Sequence, residues 1–244
     1  MSRDRSLFAA FGFWLALLCA LAALLSPLGY RLGWWDPRFA LLTVLRGAAI
    51  GAGVAFVICL VGAVMSRPGK GKSGFGLALI GLVISAALAG YPAYQYSKVQ
   101  RLPYIHDITT DTDDPPQFIA LAEARKAAPN GIEYKGAEIA GEQKRAYPEI
   151  GPYTASHPAS ELFAKAEVAA RAAGWEIAAA APAEGRIEAV DTSLFFGFKD
   201  DIVIRIKAEE AGSRLDMRSM SRVGRSDVGV NAARIRCFIE DLKR

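Results

Sequence analysis

Cysteine is scarce in this sequence and histidine scarcer. Of the three cysteines, Cys19 and Cys59 lie in apolar runs and Cys237 stands alone in the C-terminal part, so no disulfide can close there. Thiol content therefore says nothing about the redox compartment. The two histidines, His106 and His157, give little to a zinc set or a nucleophile–base pair. His157 precedes Pro158, and no Ser or Cys occupies a strand-to-helix nucleophile elbow. Internal repeats and low-complexity tracts are lacking too, which excludes solenoid architectures.

Charge is missing from three long stretches, and what charge there is divides unevenly. Residues 1–96 hold eight Lys/Arg and two acids, a net of +6, while the remainder holds 21 basic and 23 acidic residues, a net of −2. The basic character belongs to the apolar half. A nucleic-acid binder would carry it on its water-soluble part, so that class is not expected.

The stretches 7–25 and 47–65 are each nineteen residues without a charge, and a third apolar run occupies 74–94. At 1.5 Å per residue, nineteen residues make about 28 Å of helix, close to the roughly 30 Å hydrocarbon core of a bilayer. Residues 1–96 are thus expected to be a three-helix transmembrane region with the bilayer as partner, and 97–244 a soluble domain. A cleaved signal peptide is the alternative for the first run, since Arg3 and Arg5 precede it. Its length exceeds the usual 7–15-residue signal core, which favours a retained span. Gly47 and Gly51 form a GxxxG spacing, read either as a seam for close helix approach or as ordinary glycine content of membrane helices. Trp34, Trp35, Tyr91, Tyr94 and Tyr96 fall where interfacial aromatics belong.

Positive charges tie across the three spans. Arg3, Arg5, Arg67, Lys70 and Lys72 face one side, while Arg31, Arg38, Arg46, Lys98 and Arg101 face the other. The density of the short 66–73 loop tips the balance, so the soluble domain is expected outside the cytoplasm. Gly71-Lys72-Ser73 ends like a phosphate-binding loop, but Ser66 stands where its first glycine must be and an apolar helix replaces the strand.

In the soluble half, Pro115-Pro116 interrupts any regular element, 118–126 reads as a short helix or extended stretch, and 129–151 reads as loop with one short strand. A strand near 153 precedes a helix that enters at Pro158, carries Leu162, Ala166, Ala169 and Ala173, and ends at Gly174. Strands follow at 175–180, 186–192, 201–207 and 214–223, with Ile202, Ile204 and Ile206 alternating against Asp201, Val203 and Arg205. A last helix is expected from Ser226-Asp227, with Val228, Ala232, Ile235, Ile239 and Leu242 as its apolar stripe. The expected fold is α+β, a two-layer sandwich of an antiparallel sheet with helices on one face.

Several stretches resemble the bacterial family called DUF1499. They are Tyr104 with His106-Asp107-Ile108-Thr109-Thr110 and Pro115-Pro116, then Tyr147-Pro148, Gly174-Trp175 and Arg186-Ile187-Glu188-Ala189. Phe196-Gly197-Phe198-Lys199-Asp200-Asp201 follows, and finally the distinctive run from Arg218 to Asn231. The resemblance spans most of 100–244, leaves out the membrane segments, and implies no established activity.

The densest polar cluster is Lys199, Arg218, Ser219, Ser221, Arg222, Ser226 and Asp227. Arg218 and Arg222 share a strand face that leads to a helix N-terminus, a setting for a carboxylate, phosphate or lipid headgroup. Equally, these arginines can pair across strands with Asp201 and Asp216 while Ser226 or Asp227 caps the helix. His106, Asp107, Asp111, Asp113 and Asp114 contain metal-capable groups. However, Pro115 displaces the third ligand of a calcium loop and its turn glycine is missing, so neither metal nor cofactor is expected. Glu188 with Asp200 or Asp201 could form a carboxylate pair, and Trp175 reads as core. The expected role is a membrane-tethered domain that binds a partner protein or an anionic envelope ligand. Its rivals are a membrane-surface enzyme using the Arg/Asp/Ser cluster on an anionic substrate, and a structural subunit of a membrane assembly.

Overall fold

The computed structural model describes residues 4–69, 72–100 and 102–244. Arg3, Lys70, Gly71 and Arg101, which enter the count of flanking charges or the glycine-lysine loop, lie outside them. The chain forms two compact units. One takes the residues up to Gln100 together with Phe195–Gly197, and the other takes the rest.

Three helices build the first unit: α1 (Leu7–Arg31), α2 (Arg46–Ser66) and α3 (Phe75–Val99). A π-helical stretch, Phe39–Leu45, runs directly into α2. The spans Leu7–Arg31, Phe39–Ser66 and Phe75–Ser97 are long and apolar enough to cross a bilayer, and this is a membrane protein. The expected loop 26–46 is much shorter than its composition implied. Pro27 is carried inside α1, and Asp36 starts the next helical stretch by accepting the Arg38 and Phe39 amides at 2.7 and 3.1 Å. Between them Trp35 donates to the Ser26 carbonyl at 3.0 Å, and the Ser26 hydroxyl donates to the Ala40 carbonyl. Two-residue strands β1 (Asp4–Arg5) and β2 (Lys72–Ser73) pair in parallel.

Small residues line the helix seam. Ala48, Ala52, Ala55, Cys59 and Gly62 are buried on α2, against Ala9, Gly12, Ala16 and Cys19 on α1. A Cβ at Gly62 would meet the Ala9 backbone nitrogen at 2.6 Å, and one at Gly12 would meet the Cys59 nitrogen at 2.9 Å. Without a hydrophobic drive between helices in lipid, such close approach is what makes them pack. The GxxxG reading is half met: Gly51 abuts the Cys19 sulfur, whereas Gly47 faces open space.

The second unit is a six-stranded antiparallel sheet. Its strands are β3 (Asp107–Thr109), β4 (Tyr153–Ala155), β5 (Glu176–Ala181), β6 (Arg186–Thr192), β7 (Lys199–Glu209) and β8 (Gly212–Ser221). The order is β3-β8-β7-β6-β5, and β4 pairs with β8 alongside β3. Helices α4 (Ala122–Lys126), α5 (Ala137–Ala146), α6 (Ala159–Ala172) and α7 (Val230–Leu242) complete it. The β7–β8 hairpin closes at Gly212 (φ +142°), where a Cβ would sit 2.0 Å from the Ala155 carbonyl oxygen, so only glycine passes β4 here.

On one sheet face Ile187, Ala189, Ile202, Ile204, Ile206, Leu215 and Met217 bury against Leu162, Phe163, Ala166 and Ala170 of α6 and Ala232, Ile235 and Phe238 of α7. Trp175 stacks on Phe238 with ring centroids 5.2 Å apart, a core role as its sequence context implied. The α6 stripe uses Phe163 and Ala170 where Ala173 was expected. Helix α7 starts later than Ser226-Asp227, because Val228 (φ +51°) and Gly229 (φ +82°) have left-handed backbone. Val228 is exposed, outside the stripe assigned to it.

Two elements differ from the sequence expectation. Residues 137–146, read as loop, form helix α5, whose Gln143 side chain accepts from the Thr109 amide at 3.0 Å and donates to the Thr109 carbonyl at 2.6 Å. A side-chain amide there satisfies the backbone of β3 as a neighbouring strand would. The second sheet face, for which no covering element was expected among the helices, carries the segment 111–136. Phe118 and Leu121 cluster with Val190, Val203 and Met220, so the central strands are buried on both sides.

The contrast between two glycines is testable. Gly62→Leu should destabilise the helix bundle by about 1–3 kcal/mol through overpacking, while Gly47→Leu should be near neutral. Heating the detergent-solubilised protein with a thiol-reactive fluorophore, in a Cys237→Ser background because that thiol is exposed, reads this directly, since Cys19 and Cys59 are buried until the bundle opens.

Candidate functional site

Strand β8 carries three of the seven candidate residues, Arg218, Ser219 and Ser221, and leads directly into a fourth, Arg222, and its pleat separates them. Side chains alternate across a strand, so Arg218 and Arg222 project to the face covered by 111–136, while Ser219 and Ser221 project to the α7 face. The seven do not converge on one surface.

Arg218 is fully buried. Its Nε and Nη2 donate to the Asp107 carboxylate at 3.0 and 2.8 Å, and Nη2 also donates to the Ile132 carbonyl at 3.1 Å. The guanidinium lies 5.2 Å from the Phe118 ring centroid and 5.4 Å from that of Tyr134. This is a bidentate ion pair between aromatic faces, with its donors directed inward. Burial and the Asp107 charge push the Tyr134 phenol up to about 12.

Arg222 pairs with Asp201, Nη2 to Oδ1 at 2.7 Å. That hydrogen bond holds its guanidinium above the ordinary value against the opposing effect of burial. Asp201 also takes Arg125 Nη1 at 3.2 Å, and Arg125, fully buried on α4, spends further donors on the Met220 and Gly131 carbonyls. Burial lowers the Arg125 pKa, with the Asp201 charge working the other way.

Neighbouring carboxylates are equally engaged. Glu188 accepts the consecutive amides of Ile119, Ala120 and Leu121 at 2.9, 2.9 and 2.8 Å and pairs with Arg186. Asp216 is held by Arg205 and Arg214, both of which also reach Asp111. Asp111 accepts the Asp113 and Asp114 amides in a tight turn. The metal-capable run therefore spends Asp107 on Arg218 and Asp111 on arginines and amides. Among the described residues no three His, Cys, Asp or Glu side chains are grouped to hold a metal.

On the α7 face a second network forms. The Ser219 hydroxyl donates to Asn231 Oδ1 at 2.7 Å and accepts from Arg234 Nη1 at 2.8 Å. Asn231 Nδ2 donates to the Ser221 hydroxyl and to the His106 carbonyl. Arg234 pairs with Asp191 and Asp200, both at 2.7 Å. Asp227 accepts the Gly229 and Asn231 amides and so fills the helix end an anion would need; burial raises its pKa. Ser226 accepts the Val228 amide, and Lys199 is exposed at the start of β7. Glu188 and Asp201 share one sheet face with Asp200 on the other, which separates Glu188 from Asp200, while Glu188 is engaged by amides and Arg186 and Asp201 by Arg222 and Arg125.

Arg125, Asp191, Arg205, Arg214 and Arg234 complete these networks. Arg234 was legible only as a position three residues after Asn231, on the same side of α7. Arg125 had no local signal, because its partner is 76 residues away. A groove of about 350 Å³ beside β4 is lined by Glu149, Tyr153, Thr154, Ile239 and Lys243 among others, and contains none of the seven candidates.

Arg218→Ala should cost about 3–5 kcal/mol, the range for breaking a buried pair and stranding its partner. Arg222→Ala should cost less, since Asp201 keeps Arg125. Thermal unfolding followed by near-UV circular dichroism orders the two. A second expectation concerns acid. His106 is buried with Nδ1 3.3 Å from the Arg225 carbonyl oxygen, and burial holds its pKa below the ordinary 6.5. The unfolded chain then takes up a proton that the folded chain refuses, so stability falls as pH drops through 6.5 and levels off below the folded value. The thermal midpoint of His106→Gln should decline less over this window than that of the unaltered protein.

A family model described as a protein of unknown function, DUF1499, matches residues 107–242, more than half of the chain and nearly all of the sheet domain. No curated protein and no solved structure matches. With its β3 start, its second-face segment and its closing helix all inside that match, the chain belongs to the DUF1499 family.

Proposed function

We propose that this protein is a membrane-anchored, non-catalytic binding module that presents a stiff domain to a partner protein in the bacterial cell envelope. The supporting observation is the commitment of the cluster arginines. Arg218 is paired with Asp107, and Arg222 and the buried Arg125 share Asp201 within the domain. Such pairs hold a surface in one shape and leave little positive charge to recruit an anionic substrate, which weighs against the surface-enzyme reading. An anionic envelope ligand would have Lys199 as its exposed cation from the candidate set. The inner membrane as location, and the domain on its outer side, rest on the density of positive charge in the 66–73 loop.

Two measurements test this. Alkaline phosphatase fused after residue 103 should be active, and a cytoplasmically active reporter at the same point should be silent. The intact protein captured from solubilised membranes should bring down a stoichiometric protein that is lost when 104–244 are removed. Turnover of phosphate or carboxylate esters by the purified chain, abolished in Arg222→Ala, would replace the module with the enzyme.

A further inference from the structure

The second membrane span begins in a rare winding. Phe39–Leu45 form seven consecutive residues of π-helix that pass into α2 without a break. The Arg46 amide reaches back five residues to the Leu41 carbonyl as well as three to that of Thr43. π-Helices are mostly single turns, and they gather at functional positions. Nothing local asks for one here. Phe39-Ala40-Leu41-Leu42-Thr43-Val44-Leu45 holds no glycine or proline, and its alanine and leucines are among the strongest α-helix formers. The winding is therefore imposed from outside the segment.

The contacts that impose it come from the end of α1 and the loop that follows. Ser66 and Ser85 bond within their own helices, to the Gly62 and Gly81 carbonyls, the usual solution for a hydroxyl in a membrane helix. Ser26 instead donates across fourteen residues to the Ala40 carbonyl at 2.7 Å, and both residues are fully buried. Trp35 donates its indole N–H to the Ser26 carbonyl at 3.0 Å. Its ring fills a notch over Gly29, where a Cβ would stand 2.2 Å from it. The same ring lies 5.6 Å from that of Phe39, and Asp36 holds the Arg38 and Phe39 amides. Ser26 and Trp35 thus tie α1 to the first turn of the wide helix.

Rewinding to α exchanges i→i+5 bonds for i→i+4 bonds, so the backbone stays paired, as a bilayer demands. It turns the start of the span by about 100°, one residue's step at 3.6 residues per turn, and carries the Ala40 carbonyl away from Ser26.

We propose that Phe39–Leu45 is a winding switch with two backbone registers, whose π register is latched by the Ser26 hydroxyl and Trp35. Whatever draws the end of α1 away from this segment releases it and turns the 32–37 loop against α2. Packed elements with two discrete arrangements are the usual basis of such transitions.

Nitroxide pairs read the register. Side chains three apart share a face of an α-helix, whereas those five apart come together only in the wider π-helix. The full chain, with Cys237→Ser, is reconstituted in phosphatidylcholine nanodiscs. Cys19 and Cys59 are buried, so introduced thiols label selectively. One pair joins Leu41→Cys to Arg46→Cys, and a second joins Leu42→Cys to Leu45→Cys. The matching references within α2 are Phe56→Cys with Val61→Cys and Val57→Cys with Leu60→Cys. With Ser26 in place, dipolar broadening of the 41/46 pair should exceed that of 56/61 several-fold. In Ser26→Ala it should fall to the 56/61 level while 42/45 rises to that of 57/60, and Ser26→Thr should keep the π pattern. An α pattern with Ser26 in place would overturn the proposal, because no π register would exist to be latched. A π pattern that survives Ser26→Ala would overturn it too. If Ser26→Ala opens the bundle, seen as labelling of Cys59, Trp35→Phe decides: both pairs should shift towards α, and no shift counts against the latch.

Discussion

Burying a guanidinium is tolerable only where a carboxylate and carbonyl oxygens replace the water it loses. Arg218 meets that condition with Asp107 and the Ile132 carbonyl, and Arg125 meets it with Asp201, Met220 and Gly131. These bonds join β8 and β7 to the irregular segment between β3 and α5. Beside them, Phe118, Leu121 and Ile132 pack that segment on the sheet. With them, a stretch containing two consecutive prolines becomes a fixed cover.

The two sheet faces thus work by different physics. The α6–α7 face is an ordinary apolar core in which Ile, Leu and Phe interdigitate. The opposite face mixes a few apolar contacts with directional ion pairs, and Glu188 extends the same device by gathering three successive amides of the covering segment. Apolar packing tolerates repacking, whereas bidentate pairs accept one geometry. A domain built this way has little freedom to open a cleft between its layers.

In the membrane half the constraint is the reverse. Polar groups are few and helix association rests on distance of approach, set by Gly12 and Gly62 against Cys59 and Ala9. Ser26, Ser66 and Ser85 donate to main-chain carbonyls, so their hydroxyls do not face hydrocarbon unpaired.

What could be read from the amino-acid order was whatever local periodicity encodes. Nineteen-residue stretches without charge can only be satisfied in lipid, so the three spans were evident. Alternation of Ile202, Ile204 and Ile206 against Asp201 and Val203 announced a strand, and the DUF1499 resemblance carried by the run from Arg218 to Asn231 named the domain. Helix α5 was hidden because its 129–151 surroundings are rich in glycine, proline and charge, and its role, pairing Gln143 with Thr109, lies 34 residues away. The candidate cluster was legible as composition but not as a site. Whether Arg218 faces a ligand or Asp107 is settled by a contact across 111 residues, and the pleat of β8 sets Ser219 on the far side. Pairing of charges distant in sequence depends on which strands meet, and only the folded chain determines that.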